Sequence, residues 1–137
     1  MGKTVKDVMT RDVRACEPNA TVREAAELMA REDVGPIPVV EDGRLVGIVT
    51  DRDIVIRVVT EGRDPSQTTV GEIATKELVT VGPDDELEDA MRLLAEHQVR
   101  RLPVVEGDRL VGIVAQADIA RVGKDAKTGE LVEEISR

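Results

Sequence analysis

The chain has no phenylalanine, tyrosine or tryptophan in 137 residues. Proteins that hold single-stranded nucleic acid usually stack its bases on aromatic side chains, and that platform is missing. Any bound base must sit between aliphatic side chains and backbone. Positive charge is short as well: 19 Lys and Arg against 28 Asp and Glu leave a net charge of −9. A duplex-binding surface needs a basic footprint, so no nucleic-acid partner is expected. Cys16 is the only cysteine and His97 the only histidine. An intrachain disulfide cannot form, and a zinc site built from Cys and His needs more of them at set spacings. No metal site and no catalytic residues are expected. His97 has no Ser-His-Asp set around it, and neither a P-loop nor a Gly-rich dinucleotide fingerprint occurs. No apolar run is long enough to span a membrane, and Arg11, Asp12 and Arg14 interrupt the N-terminal region early. These absences predict a soluble cytoplasmic protein with no membrane partner that is not an enzyme.

What is present is a sequence written twice. Val5–Val58 aligns with Val70–Gly123 at a constant offset of 65, with 19 of 54 positions identical. Agreement peaks where Pro38–Ile54 (PVVEDGRLVGIVTDRDI) meets Pro103–Ile119 (PVVEGDRLVGIVAQADI). A unit of about 60 residues is marginal alone, so the halves are expected to share a core. The predicted organisation is repeat 1 over 5–60, a linker over 61–69, repeat 2 over 70–123, and a polar tail over 124–137 that could form a short helix. The fold class is α+β, two pseudo-symmetric β-α-β-β-α repeats. Short extended pieces (Val13–Cys16; Leu78–Val81) precede amphipathic helices, whose apolar faces are Val22, Ala25, Ala26, Met29 and Leu87, Ala90, Met91, Leu94. Thr21-x-x-Glu24 reads as a capping box, and Asp84 or Asp85 as a cap for the second copy. Hairpins turn at Asp42-Gly43 and Gly107-Asp108. Second helices follow, from about Asp53 to Val59 and Asp118 to Val122.

The end of each hairpin carries the polar groups. Gly47-Ile48-Val49-Thr50-Asp51-Arg52-Asp53 has the partner Gly112-Ile113-Val114-Ala115-Gln116-Ala117-Asp118. A strand running into a helix forms a lip where a hydroxyl and free N–H groups can take phosphate oxygens. A carboxylate one turn on can accept two hydrogen bonds from a ribose diol. Thr50-x-x-Asp53 is equally a capping box that satisfies only its own backbone. Ala115 cannot cap, yet Asp118 is still in place, where a carboxylate also suits the helix dipole. Both readings stay open at this point.

The doubled PVV-x-x-x-x-LVGIV-x-x-x-D core resembles the CBS domain, and the tandem pair over residues 5–123 resembles a Bateman module of the small stand-alone bacterial type. The family's cleft motif is Gly-hydrophobic-x-Thr/Ser-x-x-Asp, its hydroxyl on phosphate and its Asp on the adenosine ribose. The resemblance implies those roles for Thr50 and Asp53, and for Asp118, while Ala115 departs from the motif. It also implies that Pro36 and Ile37 line the first site, with Arg52 beside its phosphate position, and that Arg100 and Arg101 line the second. It further implies a regulatory sensor with no required cofactor. That sensor would take AMP, ADP or ATP as a regulatory ligand in clefts between the repeats, and signal to an unidentified effector protein as a homodimer. Ile54, Val55, Val58 and Val59 are candidates for the dimer face. The alternatives are a ligand-free structural homodimer, or a binder of S-adenosylmethionine or a metal ion.

Overall fold

The computed structural model describes residues 3–126. The short helix read for Glu130–Arg137 lies outside the described residues. Among the described residues, six α-helices and four strands run in the order α1 (Val5–Val8), α2 (Val22–Glu32), β1 (Ile37–Glu41), β2 (Arg44–Val49), α3 (Asp51–Ile54), α4 (Val70–Ile73), α5 (Leu87–His97), β3 (Arg101–Glu106), β4 (Arg109–Ala115) and α6 (Gln116–Ala126). The mixed helix and antiparallel strand content is the α+β class read from the sequence.

The repeats do not coincide with the packing units. One compact unit holds residues 14–78 with 108–110; the other holds 3–13, 79–107 and 111–126. Each unit therefore combines the hairpin and helices of one repeat with the lead-in segment of the other. In the first of them Val22, Ala25, Val39, Val49, Val70 and Ile73 form the apolar core. In the second Val5, Ala90, Leu94, Leu102, Val114 and Ile119 do so. The stretch over 61–69 is tied down at the start of α2: Val22 N–H donates to the Thr68 carbonyl at 2.9 Å and Arg23 N–H to that of Pro65 at 3.1 Å.

Within the first unit β1 and β2 pair antiparallel from Ile37↔Val49 to Glu41↔Arg44. Asp42 (φ 54°) and Gly43 (φ 82°) both take left-handed conformations, as a two-residue hairpin whose twist matches its strands requires.

Several details differ from the sequence reading. The extended pieces before α2 and α5 each contribute one parallel bridge, Cys16↔Val39 and Val81↔Val104. The short helices α1 and α4 were not anticipated. Thr4 and Thr69 start them, their N–H groups donating to Asp7 and Glu72 at 2.8 Å. The predicted caps of α5 do other work: Asp85 accepts from Gly82 N–H at 2.8 Å and Asp84 pairs with Lys6 at 2.9 Å, leaving Glu86 at the helix start. The predicted loose stretch from Gly123 begins as helix, since α6 runs through Ala126. Finally, α3 continues into a π-helical turn, Val55–Val59, closed by wide bonds such as Thr60 N–H to the Val55 carbonyl at 3.1 Å. That wider turn carries Val58 into the core and leaves Ile56 outside, which corrects the placement of Val58 on an outer face.

Candidate functional site

Two lips form where β2 meets α3 and where β4 meets α6. At the first, Thr50 and Asp53 grip each other's backbone. Thr50 N–H donates to Asp53 Oδ2 at 2.9 Å, and Asp53 N–H donates to Thr50 Oγ at 3.1 Å. The capping reading of this pair therefore holds. It does not use the carboxylate up, because an ionised carboxylate has about four acceptor positions. Oδ1 faces Thr75, whose hydroxyl donates to it across 3.3 Å. That is long for an O–H···O bond, whose usual length is about 2.7–2.8 Å. Asp53 is thus a buried carboxylate with one oxygen loosely held by a neutral hydroxyl.

Thr75 reaches Asp53 through backbone pairing. Ile48 and Thr75 exchange two hydrogen bonds, at 2.9 and 2.8 Å, and Thr10 and Ile113 do the same in the other unit at 2.8 and 2.9 Å. This close approach explains the glycines of the repeated core. A Cβ on Gly47 would meet the Thr75 carbonyl at 3.1 Å; one on Gly112 would meet Met9 Sδ at 2.7 Å and the Thr10 carbonyl at 2.9 Å. Thr10 and Thr75 were missed as site residues. Their signal was present, since they are one of the identical pairs between copies, but nothing local in the sequence says which strand they join.

The second lip keeps half of the arrangement. Ala115 N–H donates to Asp118 Oδ2 at 3.1 Å, and the hydroxyl that would return the bond is absent. Oδ1 of Asp118 is held by Arg121, with Nη2 at 2.6 Å.

The remaining predicted residues are distributed as follows. Ile37 is buried in the core at the start of β1, with exposed Pro36 just before it. Arg52 is exposed on α3. Arg101 is the exposed first residue of β3, and Arg100 precedes it, its carbonyl accepting the Gln116 N–H at 2.8 Å. Arg100 also lines a pocket of about 260 Å³, together with Met91, Leu94, Ala95, Gln98, Val99 and Gln116. Asp118 is not among its lining residues. Among the described residues no three His, Cys, Asp or Glu side chains stand together as metal donors. Cys16 is half-buried, and that burial pushes its thiol pKa up, away from the reactive thiolate. No helix among the described residues is long and apolar enough to cross a membrane.

A duplicated β-hairpin and helix, with a glycine-backed lip ending in Asp, defines a class. The CBS domain family matches residues 5–60 and again 70–125, and the chain belongs to that family. Among its relatives, the CBS domain-containing protein YhcV of Bacillus subtilis is 53% identical over 117 residues, covering 85% of this chain and 83% of that one. Hypoxic response protein 1 of Mycobacterium tuberculosis is 41% identical over 119 residues, covering 86% and 83%. The crystal structure of Hypoxic Response Protein I, which has two coordinated zinc ions, is similar with a TM-score of 0.79 at 40% identity, covering 88% of this chain and 98% of that one. CBSX2, solved in complex with AMP, gives 0.80 at 32% identity, covering 92% and 99%. The CBS domain pair of MJ0100, solved with 5′-methylthioadenosine and S-adenosyl-L-methionine, gives 0.76 at 28% identity, covering 91% and 98%.

Proposed function

We propose that this chain is a regulatory module that binds an adenine nucleotide at its strand-to-helix lips and passes the binding event to a partner protein. The observation that supports it most is the Oδ1 oxygen of the buried Asp53, whose partner among the described residues is the Thr75 hydroxyl, 3.3 Å away. A ribose diol offers two donors to such an oxygen, and a buried charge-assisted bond of this kind contributes about 1.5–3 kcal/mol. Thr50 Oγ stands beside it for phosphate, with Arg52 on the same helix. At the second lip Arg100 and Arg101 offer guanidinium groups that meet phosphate as forked donors. The AMP complex of CBSX2 and the adenosyl complexes of MJ0100 are in keeping with an adenosine ligand.

Because Asp53 belongs to one repeat and Thr75 to the other, a ligand that replaces the Thr75 contact changes how the lead-in segment is held. It shifts the conformation only by its difference in affinity for the two arrangements. The module acts as a homodimer in this reading, through the exposed apolar side chains Val55, Ile56 and Val59. A zinc-binding role lacks a donor cluster among the described residues.

The test uses the missing aromatics. A chain without Tyr or Trp barely absorbs at 280 nm, so a 260 nm band in the purified protein reports bound nucleotide. Calorimetric titration with AMP, ADP, ATP and S-adenosylmethionine then ranks the ligands. Saturable heat with at least one adenine nucleotide is expected; no heat with any of the four contradicts the proposal.

A further inference from the structure

The two copies differ in charge at the third residue after the lip acid. Ile56 occupies that place in the first copy and Arg121 in the second, at the common offset of 65. Ile56 is turned to solvent by the π-helical turn. Arg121 lies one helical turn beyond Asp118 on α6 and reaches back to it.

We infer that Arg121 sets the second lip's response to adenosine: its guanidinium occupies the oxygen of Asp118 that the first lip leaves to a neutral hydroxyl, so the second lip takes a ribose diol only when Arg121 lets go. The inference rests on the nucleotide reading and adds a control to it. The two carboxylates are used alike at Oδ2, which accepts the lip N–H at 2.9 Å in Asp53 and 3.1 Å in Asp118. They differ at Oδ1. Thr75 approaches that of Asp53 across 3.3 Å, whereas Arg121 Nη2 lies 2.6 Å from that of Asp118. The first contact is a long bond from a neutral donor; the second is a short charge-assisted one. A diol displaces the first with little loss and must break an ion pair to displace the second.

Exposure bounds the size of the effect. The Asp118 side chain is 14% exposed but Arg121 is 65% exposed. Water therefore screens the pair and competes for the guanidinium. A solvent-exposed pair one turn apart on a helix sets a barrier of about two- to five-fold in affinity, not a block. The second lip is thereby a weaker site that fills after the first. Two sites of graded affinity let one chain respond over a wider range of ligand concentration than two equal sites would.

The test isolates the second lip by placing Asp53→Ala in the background and comparing Arg121 with Arg121→Ile, the first copy's own residue, and Arg121→Lys. Each variant is titrated by calorimetry with AMP and with 2′-deoxy-AMP. Arg121→Ile is expected to tighten AMP about two- to five-fold. It is also expected to widen the preference for AMP over 2′-deoxy-AMP by a similar factor, while Arg121→Lys stays near the parent. Unchanged or weaker AMP binding in Arg121→Ile, or an unchanged sugar preference, overturns the inference while leaving the nucleotide reading intact. Absence of heat from the unsubstituted chain with AMP, ADP, ATP and S-adenosylmethionine alike sinks both. Should Asp53→Ala fail to fold by circular dichroism, the same comparison is read from the weaker of the two sites in the otherwise unaltered chain.

Discussion

Asp53 holds the start of a helix with one oxygen and leaves the other to a long bond from the Thr75 hydroxyl. Its counterpart Asp118 lacks the returning hydroxyl, and that deficit is one side chain deep. Ala115→Ser is therefore expected to do two things: add about 0.5–1 kcal/mol of stability by capping α6, and tighten phosphate binding at the second lip. Urea melts followed by circular dichroism read the first, and AMP titration the second; unaltered affinity at that lip argues against the deficit. Gly112→Ala is expected to cost more than a surface substitution, about 1–3 kcal/mol, because its methyl group would strike Met9 Sδ and the Thr10 carbonyl. A melt indistinguishable from the parent contradicts that close approach. The pairing of Thr50 with Asp53 was legible in the sequence because capping is local, three residues apart. Thr75 was not, since its tie to Asp53 spans 22 residues and depends on which strand it joins. Arg121 sits at the right helical spacing, but spacing does not say whether a flexible side chain turns to the acid or to solvent.

Three further helices in this protein, two short and one long, start on Thr with an acid three residues on. Thr4 and Asp7, Thr21 and Glu24, and Thr69 and Glu72 repeat the device. In each case the Thr N–H, and then its hydroxyl, hold the acid ionised and its pKa below the ordinary value. A depressed folded-state pKa means the unfolded chain takes up the proton first. The resulting stability is fully present above the unfolded pKa, about 4 for such acids, and is lost as pH falls through the lower folded value. Urea midpoints are expected to hold steady near neutrality and to fall below about pH 4, and the double variant Glu24→Gln, Glu72→Gln should show a shallower fall. An identical acid limb in that variant contradicts the assignment. The long amphipathic helices were readable from apolar spacing, with Val22, Ala25 and Met29 buried as predicted. The π-helical turn was not, because an apolar run such as Val55–Val59 suits an α or a π path equally. Only the surrounding core decides that Val58 turns inward.

Duplication was the most legible feature of the whole molecule, and the family match falls on both copies. The partition into packing units was hidden by the same regularity. Alignment places Val5 and Val70 at the head of their own repeats, whereas packing assigns residues 3–13 to the unit of the second hairpin. Sequence similarity reports descent of a segment, not the neighbours it buries against. At this scale the expected assembly is a homodimer, because Val55 and Val59 remain 53% and 64% exposed on one turn. Light scattering should return twice the 14.9 kDa chain mass, and Val59→Glu should shift it toward one. A monomeric parent chain contradicts the assembly without touching the lips.

Nothing probes the ribose-accepting role of Asp53 more directly than calorimetric titration of the parent chain and Asp53→Ala with AMP, each checked for folding by circular dichroism. Loss of a charge-assisted bond worth about 1.5–3 kcal/mol should weaken the tighter site by roughly ten- to a hundred-fold while the weaker site persists. Equal affinities in the two folded proteins would show that adenosine, if it binds, is not held by that carboxylate.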